Sequence, residues 1–344
     1  MSSSLLQQVL KRLVAGETLP AADAAAAFDA VMRGEGTPAQ MAALLMGLRV
    51  RGERASEVAG AARALRTAMT RLEVPRPDEL VDTCGTGGGG VTTFNISTAS
   101  ALLASGLGVR VAKHGNRSFT SKSGSADVLE ALGVPIDVPV SRMAEVLDEA
   151  GIVFMFAPTM HPAMRHVGPV RREMGIQTVM NLIGPLANPA MAGRQVIGVA
   201  DPARLDLIAG ALLELGTVHS LVVHGAPGMD EISPLGPTVI LEVRDGRITR
   251  SEFALEEVGL RPARVEELNG GEPAENARLV ETVLVGKAAP GAEAAVVLNA
   301  GAAIYIAGKA KDLPAGVRLA KEALSAGAGW DALGRLRRAT NARH

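Results

Sequence analysis

Between Val81 and Gly133 a short apolar segment ending in Cys84 runs into glycines at positions 85, 87, 88, 89 and 90. Asn95-Ile-Ser-Thr98 and an apolar run from Ala99 to Leu107 follow. The order is strand, glycine loop, hydroxyl-rich turn and helix. Glycines let a backbone approach phosphate oxygens closely, and a helix start presents unpaired N–H groups at the positive end of its dipole. The stretch therefore predicts a site for a phosphorylated ligand. Two widespread phosphate loops do not match it. No Gly-Lys-Ser/Thr follows, as a Walker loop requires, and no acidic residue ends a second strand at the spacing of a dinucleotide fingerprint. Taken alone, the loop serves equally as a tight strand-to-helix turn, so its meaning depends on partners elsewhere in the chain.

The rest of the chain supplies a frame for it. From Leu80 onward, strands at Leu80–Cys84, Val109–Ala112, Ile152–Phe156, Gln195–Val199 and Leu221–His224 are separated by helical stretches near 98–107, 125–132, 141–150 and 202–215. A hairpin is expected at Val239–Val243 and Arg247–Thr249, with later helices near 273–286, 292–307, 314–326 and 330–339. Strands alternating with helices predict an α/β fold whose sheet is mostly parallel and flanked by helices. Residues 160–190, rich in Pro, His and Arg, interrupt the alternation.

Ahead of Pro75 and Pro77, residues 1–70 read as four short helices. The first places Leu5, Leu6, Val9, Leu10 and Leu13 on one face and stops at Gly16; the second runs from about Pro20 to Met32. Thr37, Pro38 and Gln40 form a capping signature for the third, and Ser56 is the expected cap of the fourth. Such a small bundle cannot bury all its apolar stripes alone, which predicts a docking and dimerisation surface.

Composition narrows the class. Thirty-five Lys and Arg against 36 Asp and Glu give a net charge of −1, and aromatics make up 2%. No basic excess is present for a nucleic-acid partner, and rings for base stacking are poorly supplied. The single cysteine excludes an internal disulfide framework and thiolate zinc sites, and predicts a reducing cytoplasm. The leading MSSSLLQQVLKRL lacks the continuous apolar core of a signal peptide. The most apolar later stretch, Leu205 to Val223, is broken by Asp206, Glu214 and His219, so no membrane span is expected.

Two more constellations point to chemistry. Lys113-His-Gly-Asn-Arg117 directly follows a short strand, where ligands bind in such sheets. Lys113 and Arg117 suit anionic oxygens, and Asn116 can orient a polar group. Ser118, Thr120, Ser121, Ser123 and Ser125 add hydroxyls. The adjacent Asp230 and Glu231, in a stretch with Gly225, Pro227 and Gly228, face one site only from a loop, because neighbours on a strand point to opposite sides. Two carboxylates without nearby Cys or His suit Mg²⁺, which shares substrate phosphates. Each piece alone has an ordinary reading: a solvated polar loop, an exposed acidic pair.

Together they are specific. The chain resembles the anthranilate phosphoribosyltransferase family over nearly its whole length, in GTGG (85–88), FNIST (94–98), KHGNR and SKSGSADVLEALG (113–133), HPAMRHVGPVRRE (161–173), NLIGPLANP (181–189) and GMDEIS (228–233). The resemblance implies transfer of a phosphoribosyl group from 5-phosphoribosyl 1-diphosphate to anthranilate, with Mg²⁺ as cofactor, in a cytoplasmic homodimer of the tryptophan branch. It also implies a helical domain at 1–72, completed by 166–184, and an α/β domain at 73–165 and 185–344. The implied donor contacts are Gly85, Gly88, Gly89, Thr93, Asn95, Ile96, Ser97, Thr98, Lys113, His114, Gly115, Asn116, Arg117, Ser118, Phe119, Thr120, Ser121 and Ser125. Gly85, His114, Asn116, His161, Arg171 and Pro185 are the implied anthranilate contacts. Ser97, Asp230 and Glu231 are the implied metal ligands. No covalent catalyst is implied; Lys113 stabilises charge on the leaving group.

One position departs from the family. GTGG usually continues with Asp, and here residue 89 is Gly. Local negative charge falls and the loop gains backbone freedom, so the Mg²⁺ dependence of donor binding is expected to differ. Two rivals share parts of the pattern. A related nucleoside phosphorylase carries a lysine loop resembling KxSGR rather than KHGNR. A binding-only paralogue would have little use for Lys113, Asp230 and Glu231 together.

Overall fold

In the computed structural model, which describes residues 4–118 and 122–342, four helices open the chain: α1 (Leu5–Val14), α2 (Ala21–Met32), α3 (Pro38–Arg51) and α4 (Ala55–Ala68). Thr37 caps α3 by accepting from Gln40 N at 3.2 Å, and Gln40 reaches back to Thr37 N at 3.0 Å. Ser56 does not cap α4. Arg54 holds the cap position, and the buried Glu57 accepts from its N–H at 2.9 Å, from Leu19 N at 2.8 Å and from Arg51. Those donors offset the desolvation of a carboxylate enclosed in the bundle. Ser56 instead donates to the Leu19 carbonyl at 3.1 Å.

The alternation then follows: β1 (Val81–Gly85), α5 (Ile96–Gly106), β2 (Val111–Gly115), α6 (Ser125–Ala131), α7 (Val140–Ala150), β3 (Ile152–Phe156), α8 (Ala157–Met160), α9 (Met164–Met174), α10 (Val179–Ile183) and β4 (Arg194–Gly198). After these come α11 (Leu205–Leu215), β5 (His219–Gly225), β6 (Thr238–Arg244), β7 (Arg247–Phe253), α12 (Pro273–Leu284), α13 (Pro290–Ile306), α14 (Leu313–Ser325) and α15 (Ala328–Asn341). Among the described residues the strands form one seven-stranded sheet in the order β3-β2-β1-β4-β5-β6-β7. β1 to β5 run parallel, and β6 and β7 close one edge as an antiparallel hairpin. Register aligns Gly85 with Gly198 and Gly115 with Phe156, so the carboxyl ends of the central strands finish level. That rim is where an open parallel sheet leaves its crevice.

The two faces of the sheet are buried differently. Leu102, Val111, Phe154, Val296 and Leu298 belong to a core shared with α5 and α13. α13 is buried almost all round, as a sequence apolar on every face but for Glu293 and Asn299 requires. On the opposite face Ile197, Val199 and Val222 meet Leu205, Ile208 and Leu212 of α11. This second core continues without a break into α1–α4 and takes in Val167, Val179, Met180 and Ile183 of α9 and α10. The N-terminal bundle therefore buries most of its stripes within the chain, against the segment that interrupts the alternation. On its outer side Val14 and Val50 stay 90% and 74% exposed.

Candidate active site

The glycine loop after β1 turns through left-handed backbone at Gly87 and Gly88, with φ of 69° and 78°, which an L side chain rarely adopts. Three of its amides are engaged: Thr86 N donates to Gly198 O at 2.9 Å, Gly90 N to Gly228 O at 3.0 Å and Gly87 N to Asp230 Oδ2 at 2.8 Å. Asp230 and Glu231 do lie in a loop, between β5 and β6. It is seated hard on the strand ends: a Cβ at Gly198 would come within 1.6 Å of the Asp230 carbonyl. Asn299 of α13 holds the same loop from beneath, accepting from Ile232 N and donating to Ile232 O, both at 2.9 Å. Burial pushes both carboxylates up, and for Glu231 the neighbouring charge of Asp230 helps take it to about 8.

Lys113, His114 and Gly115 form the second half of β2 rather than a loop after the strand, and Lys113 is nearly inaccessible. Its Nζ donates to Thr83 O at 2.6 Å and to Ser97 Oγ at 3.3 Å. Burial lowers its pKa against the opposing pull of Asp82, Cys84 and Glu231. Asp82, fully buried in β1, accepts from His114 N at 3.2 Å and from Asn188 Nδ2 at 2.8 Å, so it supports the strand that presents Lys113 and His114. Asn95 does not cap α5 with its side chain. Its Nδ2 donates to Ser123 O at 3.1 Å and its Oδ1 accepts from Asn276 at 3.0 Å, which leaves the helix start to other partners.

These groups surround a cavity of about 390 Å³. Gly85, Gly88, Asn95, Ser97, Lys113, His114, Gly115, Asn116, Arg117, Ser118, Ser125, Asp230 and Glu231 all line it. Gly89 lies beside it, where a Cβ would stand 3.0 Å from Gly228 O. Ile96 and Thr98 are buried beneath the helix start, and Thr93 is half-buried outside the lining. Arg117 contributes wall rather than an available cation, because its guanidinium pairs with Asp127 at 2.8 Å and Glu130 at 2.5 Å. Phe119, Thr120 and Ser121 lie outside the described residues.

A second cavity of about 410 Å³ adjoins the first, and His114 and Asn116 line both. Its walls are mainly apolar: Leu65 from α4, Ala157 and Pro158 from α8, Met164 from α9 and Met180 from α10, with His161 and Arg171. Arg171, the arginine that the resemblance implies, and its neighbour Arg172 stand in different surroundings on α9. Arg171 is half-buried in the lining, where desolvation lowers its pKa, and among the described residues no carboxylate pairs with it. Arg172 is exposed. Pro185 is buried behind the cavity, its carbonyl accepting from Gln195 at 2.7 Å, and Gly184 takes the place expected for it.

Sequence reasoning missed Thr86, Gly87, Gln177 and Asn181 in the first cavity, and Leu65, Arg165 and Met180 in the second. Gly87 belongs to the glycine signature itself. Thr86 belongs to it too, and Asn181 and Arg165 stand inside NLIGPLANP and HPAMRHVGPVRRE; Gln177, Leu65 and Met180 lie remote in the chain and carry no local signal.

A glycine-loop cavity at a strand rim, closed on one side by a helical bundle, is the architecture of a glycosyl transferase class. Residues 7–69 match the helical bundle domain of the glycosyl transferase family, and residues 77–330 match its a/b domain. The chain is 47% identical to the anthranilate phosphoribosyltransferase of Symbiobacterium thermophilum over 98% of each chain. It is 48% identical to that of Thermomicrobium roseum, again over 98% of each. The crystal structure of the Thermus thermophilus enzyme superimposes with a TM-score of 0.91 at 46% identity, covering 97% of this chain and 99% of that one. The Saccharomyces cerevisiae enzyme, in complex with PRPP and Mg, gives 0.89 at 26% identity over 98% of both. The chain belongs to the anthranilate phosphoribosyltransferase family.

Proposed function

We propose that the chain transfers the 5-phosphoribosyl group of 5-phosphoribosyl 1-diphosphate to the amine of anthranilate. The products are N-(5-phosphoribosyl)anthranilate and diphosphate, the second step of tryptophan synthesis from chorismate. The observation that carries this reading is the shared wall. A polar cavity with a glycine loop, a lysine and two carboxylates meets an apolar cavity with one desolvated arginine, and His114 and Asn116 face both.

In this reading the donor's diphosphate lies along the glycine loop and the start of α5, within reach of Lys113. Anthranilate's ring packs against Met180, Pro158 and Leu65, and its carboxylate meets Arg171, whose fork suits two oxygens. The C1–O bond to diphosphate breaks as the amine nitrogen bonds to C1, and the nitrogen then sheds one proton to water or to the departing diphosphate. The aromatic amine is neutral near pH 7 and needs no strong base, so the protein acts by positioning two substrates and stabilising the departing charge. Lys113 supplies a fixed positive charge held by Thr83 and Ser97. The oxygen-only set of Asp230, Glu231 and Ser97 fits Mg²⁺, and two desolvated carboxylates side by side call for a cation. When bound, Mg²⁺ would add positive charge against the diphosphate oxygens. Among the described residues no group of three or more His, Cys, Asp or Glu gathers, so substrate oxygens and water would complete its coordination.

Association of two copies, which the family resemblance implies, belongs to this reading, with the outer side of the bundle as its surface. Among the described residues no helix is long and apolar enough to cross a membrane. Anthranilate fluorescence followed after adding donor and Mg²⁺ tests the activity. A fall in signal is expected; a flat trace from folded protein would leave a binding-only role.

A further inference from the structure

The glycine loop already holds an anion of the chain's own. Asp230 Oδ2 accepts from Gly87 N at 2.8 Å, inside the left-handed Gly87-Gly88 turn. Consecutive amides in such a turn form a concavity that takes phosphate oxygens, so Asp230 sits where a diphosphate oxygen would be received. Its backbone is fixed on both sides. Met229 exchanges hydrogen bonds with Gly225 at 2.7 and 2.9 Å, and Asn299 grips both backbone atoms of Ile232. Only the side-chain torsions of Asp230 are left to move. Position 85 makes room for this arrangement: a Cβ there would stand 2.5 Å from Asp230 Oδ2, too close for the carboxylate to stay.

We propose that Asp230 is a placeholder for the donor's diphosphate, capping the Gly87 amide in the ligand-free chain and turning towards the cation when a cation–diphosphate pair arrives. Diphosphate without a divalent cation meets an occupied loop, so the site selects the metal-bound donor over the free one. No covalent bond changes. One hydrogen bond passes from a carboxylate oxygen to a diphosphate oxygen, and the freed carboxylate is taken up by the cation. The inference rests on the reading of this cavity as a diphosphate site.

The test is calorimetric binding of inorganic diphosphate to the full chain, with chelator and with Mg²⁺, for the wild type, Asp230→Ala and the isosteric Asp230→Asn. Glu231→Gln, compared at pH 9 where Glu231 has lost its proton, is the charge control, since it then removes one charge from the same pair without touching Gly87. In chelator both Asp230 variants should bind diphosphate about tenfold more tightly than Glu231→Gln, the worth of a charge-assisted over a neutral hydrogen bond. Hydrogen exchange of the Gly87 amide should quicken in the Asp230 variants and stay unchanged in Glu231→Gln. Equal affinities for the Asp230 and Glu231 variants, or unaltered Gly87 exchange, would overturn the placeholder while leaving the diphosphate site standing. Failure of the wild type to bind diphosphate even with Mg²⁺ would overturn both.

Discussion

The Nε2 atoms of His114 and His161 lie 3.1 Å apart, on the partition between the two cavities. One ring must donate and the other accept, so the bond cannot form once both rings are doubly protonated. Burial depresses both, His114 to about 3 and His161 to about 4, and for His114 the charges of His161 and Lys113 add to the effect.

Those depressed values give a pH dependence of stability with a definite sign. Between about pH 4 and the ordinary value of 6.5 the unfolded histidines hold protons that the folded ones do not. Stability is lost as pH falls through that window, by up to about 1.4 kcal/mol per pH unit for each ring. Glu231 and Asp82, with raised values, act in the opposite direction but are common to wild type and variant. Denaturant midpoints at pH 7 and pH 5 should therefore fall further for the wild type than for a His114→Asn/His161→Asn double variant. Parallel losses would refute the buried-pair account.

Arg171 and Arg172 are neighbours in sequence but not in role. Arg171→Ala should raise the KM for anthranilate by roughly 10- to 100-fold, the worth of a charge-assisted pair, with little change in the KM for the donor. Arg172→Ala, altering an exposed side chain, should leave both within twofold. Initial-rate kinetics with each substrate varied in turn separates the two.

Gly89→Asp restores the residue usual in the family but sets a Cβ against Gly228 O at 3.0 Å, so the loop must shift by a few tenths of an ångström. The added carboxylate also lies beside Asp230. Activity titrated with Mg²⁺ should give a displaced curve relative to the wild type, with the donor still bound. Superimposable curves would show that position 89 has no part in the metal dependence.

Glu231, held near 8 by burial and by Asp230, must lose its proton to bind a cation. Mg²⁺ affinity should rise by about tenfold per pH unit from pH 6 towards 8 and then level off. Calorimetry in two buffers of different ionisation enthalpy should detect proton release at pH 7. Affinity flat across that range would contradict a protonated Glu231.

Much of the architecture was legible locally. The third helix announced its start with Thr37, Pro38 and Gln40, and the parallel strands appeared as short apolar runs, because these signals involve contacts a few residues apart. Ser56 misled because a competing interaction decided the matter: Glu57 reaches Arg54, Leu19 and Arg51 at once, and that network, not a hydroxyl, organises the start of the fourth helix. Arg117 reads in sequence as a cation for phosphate. Its guanidinium instead meets Asp127 and Glu130, which project from one face of the following helix.

The glycine loop, the lysine strand end and the acidic pair are determined by sequence, because each is a short run whose chemistry resides in its own residues and spacing. Tertiary structure alone brings Asp230 across more than a hundred residues to the Gly87 amide, turns Arg171 rather than Arg172 inward, and sets Leu65 and Met180 opposite His161. The reason is physical. A local motif is specified by backbone preference and hydrogen bonds along the chain, whereas a site made where a bundle meets a strand rim depends on which faces the common core buries. Residue 89 shows both levels at once: the sequence supplies a glycine, and only the fold reveals that Asp230 occupies the space beside it.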